Sequence, residues 1–414
     1  MAKKISKKTK KAVQKAAKKY PVLVVIALLL VVVIVGVYIL HNKGIIHVPF
    51  LGDGTQQSDG TKIDGDDGGI TEDDVTEIKN GKFSIHFLEL GNKYTGDCTL
   101  IKAGDTEVLI DAGSRKGSAE TIAAYLDTYC TDGVLEYVIA THAHEDHIAG
   151  FIGTKEGSSR TGILYQYQVD TLIQFARTDY KLVTDKGNPT LYSEYLDAVS
   201  YAESQGTTVY NALQCWNQTD GAQKTYYIDD EQTVSMNILY NYFYEHETSG
   251  GGGENEYSVC MLLSHEDDHY LFTGDLEAKG EKYLAQYNNL PKCVLFKGGH
   301  HGSYTATTET LLEKIQPDIV CVCCCCGSDE YTKDTAKMFP AQDFIDRVAK
   351  YTDKVYVTTI VDESVSGFTS LNGNIVLTFK GDKLTIRCSN NNVLFKDTEW
   401  FKNNRTMPTE WVNG

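Results

Sequence analysis

Acidic residues are missing from the first 50 positions of this 414-residue chain, and no charge of either sign stands between Pro21 and Leu40. Against the first absence stand nine lysines in the opening 20 residues, a strongly basic segment. The second leaves an apolar stretch, PVLVVIALLLVVVIVGVYIL. About 20 such residues, at ~1.5 Å each, cross a ~30 Å hydrocarbon core. A small-residue cleavage site is also missing from the VYILHNKG that follows, and a signal peptide's apolar region is shorter, about 7–15 residues. The sequence therefore predicts a basic cytoplasmic tail (1–20) and a single transmembrane helix (21–40), with everything beyond it facing outward. Large apolar residues are then scarce from 41 to 78. LGDGTQQSDGTKIDGDDGGITEDD reads as a flexible acidic linker, too poor in apolar surface to offset its chain entropy. Without the nine lysines, 30 basic residues face 56 acidic ones, a net charge of −26. The basic stripe of a strong nucleic-acid binder is missing, which disfavours a polyanionic partner. No internal repeat is evident, and the remaining ~335 residues suit one large domain or two ordinary ones.

From Gly81 onward, short β-branched runs are bounded by Gly and Asp, as strands are: GKFSIHFLEL, CTLIKAG, EVLIDAG and LEYVIA. Helical spacing marks SAETIAAYLDTY, with Ser118 placed as a cap, then Leu191–Gln205, Ala278–Tyr287, Thr308–Ile315 and Ala341–Thr352. Strand-rich halves separated by helices indicate two packed mixed sheets with helices outside.

The chemistry lies at strand ends. THAHEDHIAG sets His142, His144, Asp146 and His147 directly after an apolar strand. Imidazole and carboxylate suit zinc or a similar divalent ion. Alternation lets His142 and His144 serve one ion, and Asp146 and His147 a second. Asp275 follows another strand in YLFTGDLE, and His300 and His301 follow a third in VLFKGGHHGS. Asp111 follows a fourth in VLIDAG. Singly, an Asp after a strand is usually a turn residue. Four such strand ends together resemble a ligand site, where sheets carry them.

These residues resemble the metallo-β-lactamase superfamily. Their order is similar to the extracellular ComEC-type domain of competence proteins and its free-standing relatives. The resemblance runs from about Lys82 to Cys388. It includes HFLELGNKYTGDCTLIKAGDTEVLIDAG, similar to the family's opening, where a Gly-Asp-Ser stretch precedes the Asp-Ala-Gly strand, and ENEYSVCMLL with Asn255 and Ser258. It implies an α/β, four-layer αββα sandwich over 79–388, with a subfamily-specific insertion at 150–254 and a C-terminal tail at 389–414. It implies two divalent ions, zinc or manganese: His142 and His144 on the first, Asp146 and His147 on the second, Asp275 bridging. His300 and His301 are both candidate ligands, one completing a shell and the other contacting substrate. Asp146 and His301 are the catalytic candidates, and Asp111 orients a ligand histidine. Two bound cations lower the pKa of a shared water and supply a nucleophile. The chain departs from the ComEC-type pattern in two places. His144 stands where Asp is frequent, and Phe339-Pro340 stands where a His-Pro is expected. A further ligand histidine, common in the superfamily, has candidates in His246, His265 and His269. The last two are expected to be solvated on a hairpin turn.

Half of the 26 tyrosines lie between Tyr165 and Tyr257, in the most individual part of the chain. Tyrosine gives amphipathic contact area to binding surfaces, although packing of strands is its commoner use. The function expected is an outward-facing metallohydrolase of phosphodiesters, on cell-wall phosphoryl groups or nucleic acid. Alternatives are a lactone, thioester or amide hydrolase on the same site, or a non-catalytic binding protein that keeps the metals. The run CVCCCCGS puts five of the 11 cysteines in six positions. It is read as a core strand, Cys321, Cys323 and Cys325 facing one way and Cys324 and Cys326 the other.

Overall fold

The structure, a computed structural model, describes residues 69–157, 159–248, 253–365, 367–380 and 383–412. The basic segment, the 21–40 span and most of the linker lie outside the described residues. Among the described residues no helix is long and apolar enough to cross a membrane.

Two eight-stranded sheets form the body. The first runs in the order Lys383–Cys388, Ile375–Lys380, Ser84–Phe87, Thr99–Ala103, Thr106–Ile110, Val134–Ala140, Gln168–Gln174, Thr208–Asn211. Its pairings are antiparallel as far as Thr106–Ile110 and parallel beyond it. The second runs Gly367–Ser370, Val355–Asp362, Ile319–Cys326, Leu295–Lys297, Asp268–Phe272, Met261–His265, Val234–Ile238, Thr225–Tyr227. Its three parallel pairings lie between Val355–Asp362 and Asp268–Phe272, and antiparallel pairings flank them.

Alternating side chains divide the core into two clusters. Ile85, Leu100 and Phe87 of the first sheet share one cluster with Met261, Tyr270 and Ile319 of the second. Ile122, Leu126, Ile148 and Tyr195 add the helices Ser118–Tyr129, Glu145–Ile152 and Leu191–Ser204 to it. The other face of the second sheet, with Leu271, Phe296 and Val357, packs on Leu284, Leu311 and Phe344. These three belong to the helices Ala278–Tyr287, Glu309–Ile315 and Gln342–Val348. The order is helix, sheet, sheet, helix. Each fully buried Leu, Ile or Phe contributes about 1.5–3 kcal/mol.

Several boundaries differ from the sequence reading. Residues 150–254 are built into the body: they supply the last two strands of the first sheet and the last two of the second. The end of the linker is a helix, Glu72–Lys79, held by a capping box at Thr71 and buried at Ile78. Past Cys388 the chain packs Phe395, Phe401 and Trp411 into the second cluster. Ser118 lies inside its helix, and Gly117 occupies the cap position. The Ser118 hydroxyl instead accepts from the main-chain amides of Ser114 (3.2 Å) and Arg115 (3.3 Å).

The cysteine run is the strand Ile319–Cys326, buried along its whole length. Cys321 and Cys323 face the cluster between the sheets, and Cys324 and Cys326 face the outer one. A register shift between Val322 and Cys325 interrupts the pairing with Val355–Asp362. All 11 cysteines are free and buried. Burial pushes the Cys325 thiol up to about 12, and Cys388 likewise. A thiol reagent at neutral pH should therefore find almost no fast-reacting cysteine in the native domain and all 11 after denaturation. Rapid native labelling of the 321–326 group would contradict this placement.

Candidate metal centre

In each sheet, neighbouring parallel strands end on the same edge and turn there into loops. In the first sheet, Asp111 follows Thr106–Ile110, and His142 follows Val134–Ala140 by two residues. In the second, Asp275 lies just past Asp268–Phe272, and His300 and His301 just past Leu295–Lys297. Carboxyl ends of strands are where sheets place ligand sites. The loops close on one another through their main chains. Asp97 N–H donates to the Asp146 carbonyl (3.0 Å), Gly113 N–H to the Asp97 carbonyl (2.8 Å), and Ala112 N–H to the His147 carbonyl (2.8 Å). Gly113 permits this: a Cβ there would lie 1.6 Å from the Asp146 carbonyl oxygen. Asp111, His300 and His301 adopt left-handed φ angles of 58°, 46° and 55°. Such strained non-glycine positions cluster at functional sites.

His147 and His301 face each other across Asp275. The Nε2 of each stands 3.1 Å from Asp275 Oδ2. Their opposite nitrogens are already engaged. His301 Nδ1 donates to the Cys323 carbonyl at 2.9 Å. A carbonyl only accepts, so Nδ1 carries the proton. His147 Nδ1 lies 2.7 Å from Asp111 Oδ2. Asp111 in turn accepts from the Thr141 amide (2.8 Å) and hydroxyl (2.7 Å). Both Nε2 atoms are buried without a hydrogen bond. Imidazoles oriented through Nδ1 and left open at Nε2 have the disposition of metal ligands.

His142 and His144 complete the motif. His142 Nε2 lies 2.9 Å from His144 Nδ1, and His142 Nδ1 lies 3.1 Å from the Thr141 hydroxyl. Asp146 Oδ2 lies 3.3 Å from His301 Nε2. Asp97, His147, Asp275 and His301 each offer one ligand atom, all within 4.8 Å of one another. The structure thus gathers His142, His144, Asp146, His147, Asp275 and His301. His300 stands at the rim, its Nε2 3.8 Å from Asp275 Oδ2 and its Nδ1 3.0 Å from the Thr305 hydroxyl and 3.3 Å from Glu277 Oε1. His246 is exposed and stacked on Tyr242, apart from this group. His265 and His269, expected to be solvated, are half-buried: His265 stacks on Phe83, and His269 bonds the Ser264 hydroxyl (2.8 Å).

The electrostatics divide the histidines. Burial holds His142 well below the ordinary imidazole value, and His147 and His144 add to that. Burial also depresses His147 and His301. Asp275, with Asp111 for His147 and Asp97 for His301, outweighs it and raises both well above the ordinary value. Burial raises the Asp275 carboxyl, but the facing histidines hold it well below the usual range.

Three contributors were missing from the sequence reading. Asp97 is the acid of the Gly-Asp stretch, which was the signal for it. Lys297 precedes GGHHGS; its buried ammonium pairs with Asp97 Oδ2 and lies 3.7 Å from Asp275 Oδ1. Asp97 is thereby tied down beside His301 Nδ1 (3.1 Å), which makes it an orienting group for that ring as much as a ligand. Glu254 is buried and accepts from the Ala143 amide (3.2 Å), the Thr178 hydroxyl (3.0 Å) and the Asp179 amide (2.8 Å). It fastens the His142–His144 loop to the segment that sets Tyr180 at 6.0 Å from the His144 ring. It stands beside Asn255 in ENEYSVCMLL, but nothing local in that stretch announces its contact with Ala143.

Removing the carboxylate behind His147 frees that ring to turn. Asp111→Ala should lower affinity for zinc about 10- to 100-fold, read by competition with a chromogenic chelator. Unchanged affinity would show that Asp111 does not orient the ligand.

Residues 91–157 and 241–326 match the metallo-beta-lactamase superfamily. A curated relative, Recombination protein 2 of Haemophilus influenzae, is 28% identical over 134 residues, 32% of this chain. The match spans only 14% of that relative's length. Among solved structures, the metallo-beta-lactamase fold protein YhfI from Bacillus subtilis is 11% identical, covering 67% of this chain and 97% of its own, with a TM-score of 0.32. The metallo-beta-lactamase SMB-1 is 16% identical, covering 53% and 77%, with a TM-score of 0.30. The two matched segments hold the His142–His147 motif, Asp275 and His300–His301. Over those two segments the chain resembles the metallo-beta-lactamase superfamily, and it carries a candidate metal-binding group at the meeting edge of its two sheets.

Proposed function

We propose that this protein is a membrane-tethered, outward-facing hydrolase that uses two divalent ions, zinc or manganese, to cleave a phosphodiester. The observation that carries the metal reading is the pair of buried, unbonded Nε2 atoms of His147 and His301, both 3.1 Å from Asp275 Oδ2. His142 Nε2 and His144 Nδ1 would hold the first ion. His147, Asp146 and His301 would hold the second, and Asp275 would be shared. Bound there, the ions would polarise the scissile group's oxygen and lower the pKa of a water molecule.

The chain's own residues supply the rest. Asp111 and the Cys323 carbonyl keep the two imidazoles in the tautomer that offers Nε2. His301 was a catalytic candidate as well as a ligand; with both nitrogens committed it acts as a ligand. The role at the leaving group passes to His300, whose half-buried ring faces Glu277 and the Asn255 amide (3.5 Å). Asp146 orients the attacking water. Buried Lys297 keeps Asp97 charged beside the ligands. Its ammonium stays protonated because Asp97 and Asp275 outweigh the burial that would depress it.

The acidic balance of the outer chain favours phosphoryl groups on cell-wall polymers over nucleic acid. The uncharged 21–40 stretch behind nine lysines supports the tether and the outward orientation.

The test is hydrolysis of bis-p-nitrophenyl phosphate by chelator-stripped protein, before and after zinc or manganese is returned. Activity should vanish on stripping and return with metal, and the His142→Ala, Asp146→Ala double variant should stay at background. A protein that takes up no metal, or that opens lactones and ignores phosphodiesters, would sink this reading.

A further inference from the structure

The connection from Gly327 to Ala341, between the strand Ile319–Cys326 and the helix Gln342–Val348, reaches into the metal centre. Phe339 stands where the ComEC-type pattern has a histidine. Its ring lies 5.8 Å from that of His300 and 5.9 Å from that of His301. It closes the wall over them and brings no polar atom. Tyr331 packs on Phe339 at 5.5 Å, and its Oη donates to Asp146 Oδ2 at 2.7 Å. The residue as a whole is 52% exposed, so it reaches inward from the surface with its hydroxyl leading.

The preceding residue anchors this reach. Glu330 accepts from the Thr95 amide at 3.0 Å and pairs with Arg115. Arg115 also reaches Glu145 at 3.3 Å and covers the Tyr94 ring at 4.3 Å. The loop is thus fastened to the segments that precede Asp97 and follow Asp111, and to the neighbour of Asp146. Tyr331 is held against Asp146 from both sides. An exposed tyrosine that served only to cover Phe339 would not need its hydroxyl on a buried carboxylate.

We propose that Tyr331 is a positioning residue: its hydroxyl occupies Asp146 Oδ2 and so fixes which way that carboxylate faces. A carboxylate has two oxygens and can rotate. The same Oδ2 lies 3.3 Å from His301 Nε2, so the donor holds the carboxylate in one orientation, with that oxygen turned toward the centre. The loop thereby provides, through Asp146, the polar contact that Phe339 cannot make. This rests on the reading of Asp146 as part of a metal centre.

Tyr331→Phe keeps the ring on Phe339 and removes only the donor, whereas Tyr331→Ala removes both. Zinc isotherms on stripped protein should show about 10-fold weaker binding for Tyr331→Phe. Its melting temperature without metal should match wild type. With bis-p-nitrophenyl phosphate, kcat should fall and KM stay within about twofold, because the substrate does not bind through Tyr331. Tyr331→Ala should repeat the zinc effect. Wild-type zinc affinity and kcat in Tyr331→Phe would overturn the proposal and leave the metal centre standing. A loss seen only in Tyr331→Ala would assign the effect to ring packing and would also overturn it. Wild-type protein that binds no zinc would remove the metal-centre reading and this role with it.

Discussion

Four carboxylates, those of Asp97, Asp111, Asp146 and Asp275, are buried together with one ammonium, that of Lys297. Buried charge has to be compensated, because the low-dielectric interior makes an unpaired ion cost several kcal/mol. Lys297 answers for one carboxylate, and His147 and His301 answer for more only when protonated. This is why Asp275 and its neighbours pull both imidazoles upward against the effect of burial. Divalent cations would meet the same demand and release those protons. The charge surplus, the open Nε2 atoms and the orientation of the rings are three faces of one arrangement. It favours a cation at Asp275.

That arrangement depends on main-chain geometry. Parallel strands of both sheets end at one edge, so Asp111 and His142 come from one sheet and Asp275 and His301 from the other. The loops then approach closely enough for Gly113 to leave no room for a Cβ beside Asp146. The cysteine strand contributes here too. Its thiols are packing atoms with raised pKa values, but the Cys323 carbonyl fixes His301. The run read as a core strand also serves the centre through its main chain.

The candidate ligand motif was legible because it is local. His142, His144, Asp146 and His147 fall within six positions after an apolar run, and Asp275 and His300–His301 repeat that placement. The two sheets and the helices Ala278–Tyr287 and Leu191–Ser204 were legible for the same reason: period and flanking residues are local signals. What escaped was set by tertiary context. Glu254 and Tyr331 reach the site over more than 100 residues of separation, contacts that no local period announces. A carbonyl such as that of Cys323 leaves no mark on the sequence. Residues 150–254 read as an insertion because the stretch is long for the fold; its strands lie at the far edges of both sheets. His301 read as both ligand and catalyst because its neighbour His300 shares the motif; only the fold separates the inward ring from the one at the rim.

The most direct test of the central claim is anomalous scattering at the zinc edge from crystals of the protein grown with zinc. Two strong peaks are expected, one between His142 and His144 and one between His147 and His301, both beside Asp275. A map with no peak at Asp275, or with zinc only on surface carboxylates, would contradict the account.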